Sequence, residues 1–187
     1  MSNRARIAIG SLALSAAALV GLWQQEGWTE KAVIPVPGDV PTYGPGLTKR
    51  EDGTPVRMGD TITPLEGARR SLAHVQKDEA GLKRCVTAPL SQAEYDLLVD
   101  HAYQYGVKAT CGSTIVRMIN AHEYTGACEA YAEWRMVRAE RHEHEGPGFV
   151  RGSDGVLRFD CSTPGTTRCR GVFLRSQARR DKCKAAQ

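Results

Sequence analysis

The sequence predicts an α+β chain: a small lobe of short strands and loops, followed by a larger helical lobe. Three observations carry that expectation. Between Pro35 and Pro64, glycines and prolines recur among short β-prone pieces, which suits hairpins and loops rather than a long helix. After Pro64 the apolar residues recur at helical spacing, behind residues suited to capping helix starts. Buried strands do not alternate with helices, so a doubly wound sheet is not expected. At 187 residues the chain is long enough for one domain with a substantial core and a short extension.

The extension comes first. Arg4 and Arg6 precede an uncharged run from Ile7 to Trp23, about seventeen residues or roughly 25 Å as a helix, at the short edge of what spans a bilayer. Positive charge followed by an uncharged run fits a cytoplasmic N-terminus and export of the rest of the chain. Ala16-Ala17-Ala18 offers a small-residue cleavage site, which would make the run a signal peptide. Alternatively the run is an uncleaved anchor, rich enough in Ala, Gly and Ser to leave the membrane again. A buried helix of a cytosolic domain is a third reading, and the arginine flank argues against it. The expected division is residues 1–23 as anchor or signal and 24–187 as the functional domain.

Val33-Ile34 and Val40 supply strand-forming pieces, and Glu51-Asp52-Gly53-Thr54 reads as a turn. Thr63 can cap a helix with Pro64 at its first position, and Leu65, Ala68, Leu72, Val75 and Leu82 can share its inner face. Ser91-Gln92-Ala93-Glu94 forms a capping box that opens a helix with Tyr95, Leu98, Val99, Ala102 and Tyr103 inward, ending at Gly106. Ser113 starts a short helix through Ile119. A further helix is expected from Thr125 to about Glu140, with Cys128, Tyr131, Ala132 and Trp134 as core candidates. Gly146 to Gly165 reads as a loop with a small hairpin around Ser153-Asp154-Gly155, and a last helix runs from Gly171 to about Lys184.

Composition excludes more than it identifies. The net charge of +4 comes without a basic tract dense enough for nucleic acid, though it suits an anionic envelope. The six cysteines (Cys85, Cys111, Cys128, Cys161, Cys169, Cys183) form no CxxC pair and have no histidine at zinc-finger spacing. They read as disulfides made in an oxidising compartment, with the pairing left open. His142-Glu143-His144-Glu145 lacks a catalytic zinc pattern and reads as a solvated stretch. Neither a nucleophile elbow nor a phosphate-binding glycine loop is present.

The chemistry concentrates in Glu26-Gly27 and in Gly38-Asp39-Val40-Pro41-Thr42-Tyr43-Gly44-Pro45-Gly46, which together hold two carboxylic acids and a hydroxyl in a bent region. Glycoside hydrolysis needs one acid to protonate the leaving oxygen and one carboxylate to handle water or the developing positive charge. Glu30, one helical turn after Glu26, is a spare acid more in keeping with a solvated face. Trp28, Trp134 and the tyrosines could line a sugar cleft, although burial is their commoner fate.

The order of these residues resembles the catalytic segment of phage-type lysozymes, in which a Glu closing a first helix precedes an Asp and a Thr on a small hairpin. Leu90-Ser91-Gln92-Ala93-Glu94-Tyr95-Asp96 with Tyr103-Gln104-Tyr105-Gly106 looks like the family's central helix. Gly112 to Asn120 looks like the next helix, and Cys169-Arg170-Gly171-Val172 with Arg175 like its C-terminal region. The resemblance covers nearly everything after residue 24 and implies a lysozyme-like fold with a cleft between the lobes. It implies an endolysin, of the kind carrying a releasable signal-anchor, that hydrolyses the β-1,4 bond between N-acetylmuramic acid and N-acetylglucosamine without a cofactor, with inversion. Glu26 would be the general acid, Asp39 the second carboxylate, and Thr42 would position water. The expected partners are peptidoglycan strands and, through residues 1–23, the inner membrane. The expected setting is a monomer in the periplasm of a Gram-negative host, serving host lysis. The pairing implied by the resemblance is Cys85–Cys111, Cys128–Cys183 and Cys161–Cys169.

The spacing departs from the family's in one respect. Counted from Glu26, the Asp place falls on Pro35 or Val36, neither acidic, and the Thr place on Pro41, one residue before Thr42. Asp39 is the nearest carboxylate, and it could equally be a turn residue beside Gly38. The departure leaves two alternatives: a catalytically impaired, membrane-tethered peptidoglycan-binding protein, or a lytic transglycosylase using Glu26 alone.

Overall fold

A computed structural model describes residues 5–35, 38–140 and 142–187; the side chains of Gln25 and Glu26 also lie outside the described atoms. Val36, beside Pro35 at the family's Asp place, falls outside the description as well. The expected α+β layout is present. A small β lobe and a helical lobe each have their own apolar core, and a 22-residue helix leads from the first into the second.

The N-terminal run is not one apolar helix. Ile7 pairs with Leu90 through two backbone hydrogen bonds of 2.9 Å, and Ile9–Ser11 form a 3-10 turn. An extended piece leads to Ser15, which caps α1 (Ala16–Glu26) by accepting from the Ala18 amide. Ile9, Leu12 and Leu22 join the core of the helical lobe. Among the described residues, no helix is long and apolar enough to cross a membrane.

After α1 the chain turns at Gly27, whose φ of 73° suits a residue without a Cβ. It then enters β1 (Thr29–Val33), which pairs antiparallel with β2 (Thr42–Gly44), with Thr29 opposite Gly44 and Val33 opposite Thr42. On the other edge of β1, Ala32 donates to Asp60 and Ile62 donates to Glu30. Ala32, Tyr43, Val56 and Ile62 form this lobe's core.

Thr63 caps α2 (Pro64–Cys85) as its sequence predicts. Val75 and Leu82 are buried, but Leu65 and Leu72, expected on the same face, are exposed. The buried face of α2 runs instead through Gly67, Ser71, Val75, Asp78, Glu79 and Leu82. The capping box of α3 (Gln92–Tyr105) forms as expected, and α4 (Val107–Cys111), α5 (Thr114–Asn120) and α6 (Tyr124–Ala130) follow.

The helix expected to reach Glu140 stops early. It tightens into a 3-10 turn at Tyr131–Glu133, and the chain then extends as β3 (Met136–Arg138). The reason lies further along: β3 pairs with β5 (Leu157–Asp160), which also pairs with β4 (Phe149–Arg151). The β4–β5 hairpin contains the expected turn at Ser153–Gly155. The last helix, α7, covers Arg170–Ala185. Disulfides join Cys85 to Cys111, Cys128 to Cys183 and Cys161 to Cys169, the pairing the resemblance implied.

Candidate active site

Glu26 is the last residue of α1, so the junction of helix and β lobe determines where its carboxyl starts from. Aromatic packing holds that junction from both sides. The Trp23 and Trp28 rings stack with centroids 5.6 Å apart and planes at 23°. A Cβ at Gly67 would lie 2.6 Å from Cζ3 of Trp28, and Pro45 also borders that position. The Trp28 ring therefore rests against the bare backbone of α2, which only a glycine at position 67 allows. Leu19, Val20, Trp23, Gln24, Gly27, Trp28 and Ala68 line an apolar groove of about 510 Å³ beside this junction.

Thr42 begins β2 opposite Val33, with its hydroxyl 3.5 Å from the Val33 carbonyl. Two residues later Gly44 lies opposite Thr29, itself three residues beyond Glu26. Thr42 therefore stands about 7 Å along β2 from the residue that faces Thr29, at the end of this sheet farther from the α1 junction. Tyr43, between them, is buried, and its hydroxyl accepts from Arg70 Nη1 at 2.9 Å. Arg70 also donates to the Lys49 carbonyl, so α2 braces the back of the hairpin.

Asp39 sits farther out on the same hairpin, in the loop that joins Val33 to Thr42. It lies exposed in the hairpin tip, and its carboxylate accepts from the amide of its own neighbour Val40 at 2.8 Å. The described contacts tie it to the turn and to nothing on α1. Glu30 is exposed on β1, as expected of a solvated acid. Trp134 belongs to the helical lobe, packed 4.4 Å from His101 between ring centroids.

Two members of the 142–145 stretch face charged neighbours. Glu143 pairs with Arg168, His142 lies 3.6 Å from Glu140, and among the described residues no group of three or more His, Cys, Asp or Glu could hold an ion. The residues that sequence reasoning missed are Trp23 and Gly67. Their importance depends on Trp28 meeting a residue 39 positions away, and no local pattern announces that contact.

A sequence model of the Phage lysozyme family matches residues 23–151, more than half of the chain. The endolysin of Salmonella phage P22 is 32% identical over 124 residues, covering 66% of this chain and 84% of that protein. An endolysin from Escherichia coli O157:H7 phage FAHEc1 superposes with a TM-score of 0.73 at 26% identity, covering 95% of this chain and 97% of its own. A mutant of P22 lysozyme gives a TM-score of 0.65 at 24% identity over 92% of this chain and 99% of its own. With its fold, its helix-end glutamate and its adjoining Thr-bearing hairpin, this chain belongs to the phage lysozyme family and is a lysozyme-type hydrolase acting on peptidoglycan.

Proposed function

We propose that this endolysin cleaves the β-1,4 bond between N-acetylmuramic acid and N-acetylglucosamine, with Glu26 as general acid. The Glu26 carboxyl gives its proton to the glycosidic oxygen as the bond to the anomeric carbon breaks. A water held by the Thr42 hydroxyl adds to that carbon from the opposite face, which inverts it. Asp39 is assigned as the carboxylate that takes up the water's proton or offsets the positive charge. The observation that carries this reading is the junction itself: Glu26 closes a helix braced by stacked Trp23 and Trp28, next to the hairpin that bears Thr42.

The tip position of Asp39 favours a second reading in which Glu26 acts alone. The sugar's own 6-hydroxyl then attacks, and the product is an anhydro sugar, as with lytic transglycosylases. Mass spectrometry of glycan released from purified peptidoglycan separates the two. Hydrolysis adds one water per bond cleaved, while the anhydro product carries none. We expect hydrated products from wild type, none from Glu26→Gln and strongly reduced amounts from Asp39→Asn. Anhydro products, with Asp39→Asn fully active, would replace the first reading by the second.

For biological setting, we assign the enzyme to lysis of a Gram-negative host from the periplasm, acting as a monomer. Residues 1–23 are assigned as a releasable anchor in the inner membrane. The Arg4 and Arg6 flank and the Ala/Gly/Ser-rich run support this. A membrane-spanning form would need residues 7–23 to rearrange into one helix from the docked, broken path seen in the fold.

A further inference from the structure

The helix that ends in Glu26 is held weakly by apolar packing. Leu22 is its one buried side chain among the described residues. A groove of about 390 Å³ lies along its small residues Ala17, Ala18 and Gly21, with Ala185 and Ala186 of α7 on the groove's other wall. A helix that buries so little must take its position from its ends. The far end is braced by Trp23 and Trp28; the near end is held by carboxylates. Asp96 of α3 accepts from the Ser15 amide at 3.0 Å and from the Ser15 hydroxyl at 2.6 Å. The same hydroxyl accepts from the Ala18 amide, so Asp96 fixes the cap of α1 directly. Glu79 of α2, only 7% exposed, accepts from the Leu14 amide at 2.7 Å and from the Tyr95 hydroxyl at 2.8 Å. Two helices thus grip consecutive residues immediately before α1.

We propose that Asp96 and Glu79 are positioning residues for the catalytic acid: by anchoring Leu14 and Ser15 they fix the axis and rotation of α1, and so the direction from which Glu26 enters the cleft. α1 has 11 residues and spans about 16 Å, so a tilt or rotation admitted at Ser15 is carried along the rod to Glu26. Proton donation depends steeply on sub-ångström placement. The inference rests on Glu26 being the acid.

The test compares Asp96→Ala, Asp96→Asn, Glu79→Ala and Ser15→Ala in the full chain, at a temperature where each is fully folded by circular dichroism. Phe159→Leu, in the β3–β5–β4 sheet, controls for loss of stability alone, and Glu26→Gln is run alongside. The expected result is a loss in kcat of about tenfold or more for Asp96→Ala and Glu79→Ala, with KM within about twofold of wild type. Asp96→Asn, which keeps an acceptor for the Ser15 amide, should recover part of the loss. Phe159→Leu should lower Tm and leave kcat unchanged. Wild-type kcat in Asp96→Ala and Glu79→Ala, with Glu26→Gln inactive, overturns the inference and leaves the site reading intact. An active Glu26→Gln overturns both. If Asp96→Ala does not fold, Ser15→Ala and Glu79→Ala decide the matter by the same kcat criterion.

Discussion

Acidifying the protein from about pH 7 to about pH 4.5 should destabilise it by about 2.7 kcal/mol through one residue, His101. Its ring is fully buried among Tyr105, Tyr131 and Trp134, with Nδ1 3.0 Å from the Thr110 hydroxyl. Nε2 has no hydrogen-bond partner among the described residues, so a proton placed there would find no acceptor. Burial, reinforced by the nearby Arg179 guanidinium, lowers the His101 pKa to about 3. In the unfolded chain the ring takes a proton near pH 6.5. The contribution is therefore fully present above about pH 6.5 and is lost as pH falls toward the folded value. Each pH unit in that window costs about 1.36 kcal/mol, and about two units separate 6.5 from 4.5. Urea denaturation of wild type and His101→Gln at both pH values measures the effect, because titrations elsewhere cancel in the double difference. If the variant loses as much stability on acidification as wild type, the linkage argument is wrong.

Other perturbations act through the same kinds of contact. Gly67→Ala should cut lytic activity by roughly tenfold or more at constant substrate affinity, because its Cβ would displace the Trp28 ring that stacks on Trp23 at the end of α1; steady-state kinetics reads the loss. Removing the Cys128–Cys183 bridge by a double serine substitution should cost about 4 kcal/mol, from the 55-residue separation it closes, measured by the shift in denaturant midpoint. Arg6→Ala should cost about 2 kcal/mol in the same assay, because Glu94, 4% exposed, would lose its two-pronged partner and keep only Gln187 and the Ser91 amide. The Glu94 contribution should also fade with acid. Burial opposes its ionisation, but hydrogen bonds from Arg6, Ser91 and Gln187 together hold its pKa below 4.5, so this stabilisation is present above 4.5 and lost as pH falls through the lower folded value.

Where local chemistry decides structure, the sequence was readable. Thr63 and Pro64 open α2, the Ser91–Glu94 box opens α3, and α7 follows its pattern nearly to the residue. Where a distant partner decides, it was not. Met136–Arg138 look helical until β5 supplies the neighbouring strand. The N-terminal run looks like one apolar helix until Glu79 and Asp96, far along the chain, catch Leu14 and Ser15 and break it. Leu65 and Leu72 fit an inner face by spacing, but α2 turns its glycine- and serine-bearing side inward to admit Trp28 and the helices behind it. At the proposed site, order and context single out Glu26 and Thr42 as candidates, whereas the Trp23–Trp28–Gly67 brace has no local signal in the sequence.

The most direct test of the central claim is clearing of outer-membrane-permeabilised Gram-negative cells, followed by turbidity, with wild type and Glu26→Gln at equal concentrations of folded protein. The account predicts rapid clearing by wild type and none above buffer with Glu26→Gln. Clearing by Glu26→Gln at a rate near wild type would show that the acid lies elsewhere and would contradict the account.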